Sequence, residues 1–263
     1  MAHNNWVQIF RPSQNSSRLG RSPEIRIVPD QAKPDASGYI DPDRPSNINH
    51  LIVGELGWEE ILLVATDNGN IAAYYTTAVK AGIDRKPFDF SDDGRSDLVA
   101  VRAFFTYWVQ ESAWGLSIHK EARMIAVSAN RPFHVPTGRT EASITIFAFA
   151  LTSAGTVHSD DLDAMQEETS DWASWTPDRT TPEKLPDRSI NWKLRIDAHN
   201  FNVPNISFVN SAEDPAGRYL LSTSLHGETA LWHIWRAQRV NTWDFSSRTA
   251  FSSITPSMRY KYV

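Results

Sequence analysis

Apolar and polar residues alternate along this chain in short runs, and that period of two is the pattern of half-buried β-strands. Residues 6–10 (Trp-Val-Gln-Ile-Phe) and 24–28 (Glu-Ile-Arg-Ile-Val) alternate and stop at Pro12 and Pro29. Six prolines between Arg11 and Asn47 exclude helix there, because each lacks an N–H donor and clashes with the preceding turn. From residue 48 the strands sharpen. Residues 49–56 form one, and the continuous apolar run 61–66 another. Asp67-Asn68-Gly69-Asn70 is a turn signal, since Asn and Gly tolerate positive φ. Residues 71–75 read as the next strand, with helix over 71–82 as the competing reading. Residues 98–109 fit either a strand or a short helix.

The same order of elements then recurs. Residues 113–119, 124–129 and 143–150 are predicted strands, as are 205–209, 219–224 and 229–235. The middle strands (61–66, 124–129, 219–224) all end in small residues, and each is followed by a strand carrying an aromatic: Tyr74, Phe147 or Trp232. Such a meander cannot bury both of its faces alone. Units stacked around a hub bury them against each other. Small residues suit the close approach near the axis, and aromatics fill the wider gap outside. A β-sandwich is the alternative with similar strand patterning.

The division that follows has residues 1–30 as terminal strands of an incomplete blade and 31–47 as a Pro-rich loop. Residues 48–110 form a blade with a loop insertion, 111–198 a blade with an acidic insertion at 152–178, 199–236 the third blade, and 237–263 a C-terminal tail. The insertion carries seven acidic residues and no Lys or Arg, which reads as a solvated, partly disordered segment. A closed propeller needs at least four blades. The expected fold is therefore all-β: a partial β-propeller of about three blades plus part of a fourth, in a fragment of a longer propeller.

Composition narrows the chemistry. The 263 residues contain no cysteine, which excludes disulfides, a thiol nucleophile and zinc–thiolate sites. A formal charge of −5 argues against direct nucleic-acid binding, and the scattered Arg11, Arg18, Arg21 and Arg26 do not form a basic surface. No apolar stretch is long enough for a membrane helix, so no membrane partner is expected. The acidic pairs Glu59-Glu60, Asp92-Asp93 and Asp160-Asp161 sit in strands or turns without the facing geometry that paired-carboxylate catalysis needs. The eight histidines show no ligand spacing, and no phosphate-binding glycine loop or nucleophile elbow is present. The expectation is no catalytic residue, no metal and no cofactor. The alternative is a propeller or sandwich hydrolase using carboxylates or histidines gathered at one end of the blades.

The third unit resembles a WD repeat through Asp214-Pro215-Ala216-Gly217-Arg218 and Gly227-x-x-x-Leu231-Trp232. The resemblance marks Gly69, Trp114, Asp214, Gly217, Gly227 and Trp232 as repeat-signature structural residues. It also implies a buried hydrogen-bond network, with His199 as its histidine and Ser222 or Ser224 as its hydroxyl. His226 and His233 stand where acids are usual, so the network is expected to be incomplete. Over residues 37–75, 112–151 and 199–235, segments such as Ile48-Asn49-His50-Leu51-Ile52-Val53-Gly54 and Ser112-Ala113-Trp114-Gly115-Leu116-Ser117-Ile118-His119 resemble the fungal family of constitutive ribonucleotide-reductase transcription regulators. That resemblance implies a WD40-like interaction scaffold that meets protein partners through its faces and loops, with components of a cullin-type ubiquitin ligase as candidates, acting in the nucleus, the cytoplasm or both. The Trp-Asp-x-Arg box of ligase adaptors is not matched: Trp232-His233-Ile234-Trp235-Arg236 lacks the Asp and places Arg one position late.

Overall fold

A computed structural model of the chain describes residues 2–3, 5–10, 23–85, 101–132, 141–151, 172–177 and 185–245. The described residues are mostly β, and their strands fall into four successive sheets. The first holds β1 (Ala2–His3), β2 (Trp6–Ile9) and β3 (Ile25–Ile27). The second is a meander of β4 (Ile48–Leu56), β5 (Glu59–Thr66), β6 (Asn70–Tyr75) and β7 (Phe105–Trp108). Helix α1 (Thr76–Arg85) follows β6 directly, so residues 71–82 hold both a strand and a helix. The third sheet runs β8 (Ala113–His119), β9 (Met124–Ala129), β10 (Ala142–Ala148) and β12 (Trp192–His199), with the short β11 (Ala173–Ser174) added parallel to β12. The fourth is β13 (Asn205–Phe208), β14 (Tyr219–Thr223), β15 (Glu228–His233) and β16 (Gln238–Asp244). None of the sheets closes on itself. Residues 238–244, read from sequence as tail, are the fourth strand of this last sheet. Residues 86–100, which include the loop insertion expected in the second unit, the insertion 152–178 apart from 172–177, and residues 246–263 lie outside the described residues.

Three separate apolar clusters lie between these sheets. One joins Val7, Ile25 and Ile27 of the first sheet to Leu62, Val64 and Tyr74 of the second. Another joins Ile61, Leu63 and Ala65 to Ile125, Val127 and Phe147 of the third. The last joins Met124, Ala126, Ile144 and Ile146 to Ile206, Phe208, Leu220 and Trp232 of the fourth. Adjacent residues of β5 and of β9 therefore point into different cores. This is why both strands are apolar without interruption, since a strand buried on both faces has no solvent side to alternate with. β14 differs: Leu220 and Ser222 are buried, while Tyr219, Leu221 and Thr223 are half-buried on the opposite face.

The gap between sheets widens from the first strand to the last. Gly115 on β8 lies so close to β13 that a Cβ there would stand 3.1 Å from the Ile206 backbone nitrogen. Gly54 on β4 instead makes room for a side chain: a Cβ there would stand 3.2 Å from the Ile118 Cδ1 of β8. At the later strands of the second and third sheets, Phe105, Phe147, Phe149 and Trp172 pack edge to face at 4.9–5.7 Å.

Separate cores make a specific prediction. Ile61→Ala and Leu62→Ala, neighbours in sequence, should each destabilise the fold by roughly 2–5 kcal/mol. Leu221→Ala, on the half-buried face of β14, should cost less than about 1 kcal/mol. Urea unfolding of the three variants checks this. A two-layer sandwich would make only one of the Ile61/Leu62 pair costly.

Candidate interaction groove and its polar latches

β4, β8 and β13 are each the first strand of their sheet, and they lie side by side. Between them runs a groove of about 540 Å³, lined by Val53, Ser117, Ile118, Ile206, Ser207 and Asn210 among others. Its lining includes Glu55, Lys120 and Glu121. Lys120 Nζ donates to Glu55 at 2.6 Å, and that bond raises the lysine pKa. Glu121 lies 3.7 Å from His119 Nδ1. The His119 ring is committed inward: Nε2–H donates to the Asp214 carbonyl, and Nδ1 accepts from the Ala122 N–H. Among the described residues, no histidine lines the groove. Among the described residues, no group of three or more His, Asp or Glu stands close enough to hold a metal ion.

Side chains also bind the first strands to one another and to their neighbours. Asn49 Nδ2 donates to the Ala113 carbonyl, and His50 Nδ1–H to the Trp114 carbonyl. The Gly115 N–H donates to Ser128 Oγ, whose hydroxyl donates to the Val203 carbonyl at 2.6 Å. The Phe208 N–H donates to Ser117 Oγ.

Asp67 is a latch that the turn reading missed. It is 1% exposed. Its carboxylate accepts the Ile40 and Asp41 N–H groups and the Ser112 hydroxyl, and Trp114 Nε1–H donates to that same hydroxyl oxygen. Asn70 pairs through its side chain with both backbone groups of Lys33. The polar turn 67–70 is thus buried because it holds the Pro-rich loop down. Gly69 has φ +78°, and a Cβ there would overlap the Glu111 carbonyl.

The signature residues of the fourth sheet are arranged around a second latch. Asp214 accepts the Arg218 and Tyr219 N–H groups and the Arg218 guanidinium. Gly217 has φ +59°, where a Cβ would overlap Met124 of the third sheet, and Gly227 turns the chain at φ +85°. Trp232 Nε1–H donates to Ser222 Oγ at 2.8 Å, Ser222 donates to His199 Nε2 at 2.7 Å, and His199 Nδ1–H donates to Glu228 at 3.0 Å. Arg239 then donates to Glu228 and lies over the Trp232 ring. The chain expected to end without an acid thus ends on Glu228, two residues beyond His226. His199 belongs to β12 of the third sheet, so the network crosses between sheets. Ser224 takes no part, and its buried hydroxyl has no hydrogen-bond partner among the described residues.

The sequence model of one family, CRT10, matches residues 29–261. The chain belongs to the CRT10 family. This is the family of constitutive ribonucleotide-reductase transcription regulators that the quoted segments resemble, and it ties the chain to control of that transcription. No curated protein matches the sequence. No helix among the described residues is long and apolar enough to cross a membrane.

Burial pushes the His199 pKa below its ordinary 6.5, although Glu228 pulls the other way, and burial together with the Arg236 charge lowers that of His233. The unfolded chain therefore takes up protons near pH 6.5 that the folded protein refuses. This contribution to stability is full above that pH and is lost as the pH falls toward the folded-state values. The urea midpoint should drop between about pH 7.5 and about pH 5.5. His199→Gln should reduce that drop and leave the part due to His233. An unchanged drop would refute the assignment to His199.

Proposed function

We propose that this CRT10-family chain is a non-enzymatic interaction scaffold for control of ribonucleotide-reductase transcription, built as part of a WD40-like propeller. The single observation that carries the reading is the groove. It is mixed in character, with two lining carboxylates: Glu55 is bonded to Lys120, Glu121 lies 3.7 Å from the His119 ring, and no histidine is among the described lining residues. Paired-carboxylate hydrolysis needs two acids facing each other across a bond. A groove of small polar side chains and an exposed Val53 suits protein recognition instead. The propeller reading draws on the succession of meander sheets, their separate cores and the glycine-mediated approach of the first strands. The crossing Trp–Ser–His–Glu network favours it too, with Glu228 in the place of the usual acid.

A ligase-adaptor role rests on the resemblance. In the segment nearest to an adaptor box, Trp232, Ile234 and Trp235 are buried in the core between the third and fourth sheets. Docking to a ligase would have to use another surface. Nuclear action follows from a role in transcription and belongs to the same proposal.

The test uses the full-length product in its native host with the chromosomal copy disrupted. Wild-type protein should restore ribonucleotide-reductase transcript levels and recover a defined set of proteins on affinity purification. Val53→Glu combined with Ser207→Arg changes exposed groove residues and should leave the thermal melt unchanged, yet fail in both assays. Recovery of cullin-ligase components with wild type alone would support the adaptor role. A groove variant with normal transcripts and normal partners would refute the scaffold reading.

A further inference from the structure

The turn between β4 and β5 carries Trp58 with 91% of its surface exposed; among the described residues the next most exposed large apolar side chain is Leu225 at 66%. A tryptophan in water contributes nothing to folding through burial, and tryptophan is among the residues most enriched at interface hot spots. The turn is also held firmly. The Gly57 N–H donates to the Lys120 carbonyl at 2.9 Å, which ties the hairpin tip to the β8–β9 turn of the next sheet. Gly57 has φ +69°, and the Arg123 side chain lies close enough to meet any Cβ there, at 3.1 Å. The ring is thus presented on a braced support, which lowers the ordering entropy that docking must overcome.

The surroundings define the partner. Glu55 and Glu60 stand directly opposite each other on β4 and β5. Like charges in that position destabilise a sheet. Glu59 is exposed beside Trp58, and Glu121 is exposed on the adjoining turn. Against these four carboxylates stand two cations. Lys120 is bonded to Glu55, and Arg123 donates to the Ala150 carbonyl. Glu55, Lys120 and Glu121 also line the groove, so the tip and the groove form one continuous surface.

We propose that the Trp58 hairpin tip, with Glu55 and Glu60 on one face of the hairpin, Glu59 on the other and Glu121 on the adjoining turn, docks a Lys/Arg-rich segment of a partner protein. A guanidinium or ammonium group stacks on the indole face, where the ring quadrupole attracts cations. The carboxylates supply charge complementarity at the rim and speed the encounter. The proposal rests on the scaffold reading and names the kind of partner its groove receives.

The test measures binding of a fluorescein-labelled oligo-arginine peptide to the purified full chain by anisotropy, with oligo-glutamate as the negative control. Wild type should bind oligo-arginine and not oligo-glutamate. Trp58→Ala should weaken binding about fivefold, within the range of a cation–π contact. Glu59→Gln with Glu60→Gln should weaken binding and flatten its salt dependence. Asp43→Asn, at the opposite end of the second sheet, should have no effect. Equal affinities for wild type and Trp58→Ala would overturn the proposal, because binding would then follow net charge alone. Sedimentation showing a wild-type dimer that Trp58→Ala converts to a monomer would overturn it in favour of a second copy of the chain. The assay uses the chain by itself, so its failure leaves the groove variants in the host to decide the scaffold reading separately.

Discussion

A β-sheet has two faces, and in this protein the inner sheets keep both of them out of water. Everything else in the structure follows from that constraint. The second and third sheets each serve two cores, one per face, so successive residues of β5 and β9 answer to different neighbours. A change on one strand is transmitted to two interfaces, and no single sheet is a stable unit apart from the sheets that cover it. The arrangement also fixes where small and large residues belong. Where first strands converge, Gly115 lets the β13 backbone approach and Gly54 leaves room for the Ile118 side chain; at the later strands, aromatic rings fill the space.

Apolar packing alone does not hold stacked sheets in register, because hydrophobic contact is non-directional. Buried polar latches supply the direction. Asp67 gathers the Pro-rich loop and the start of β8 onto one carboxylate. The Trp232–Ser222–His199–Glu228 chain fastens the fourth sheet to the last strand of the third. Each of these links is satisfied at both ends, which a low-dielectric interior requires. His199 is the sensitive member: it must remain uncharged to accept from Ser222 while donating to Glu228.

Much of this was legible in the sequence, and the misses have physical causes. The strands 113–119 and 124–129 match β8 and β9, because apolar runs bounded by turn residues leave little ambiguity. Residues 238–244 escaped notice because every residue of β16 is exposed, and an edge strand without a buried face carries no alternation. Trp58 gave no signal at all. An exposed tryptophan and a core tryptophan are the same letter, and only burial separates them. Asp67 read as a turn former, which it is, but its role lies in contacts with residues 26 to 45 positions away. Glu228 was missed because the acid was sought at the position where the repeat pattern puts it, and the turn geometry lets an acid two residues later reach the same histidine.

The convergence of first strands also bears on how this protein meets others. β4, β8 and β13 each lie at an edge of their sheet, and an unpaired strand edge invites indiscriminate pairing with other chains. Here part of that edge is already engaged: Asn49 and His50 bond to β8 carbonyls, and Ser117 takes the Phe208 N–H. With those backbone groups committed, recognition along the groove must come mainly from side chains such as Val53, Ser207 and the Glu55–Lys120 pair. Side-chain recognition discriminates between partners where bare backbone pairing does not. The bonds that hold the sheets together thus also make the groove selective.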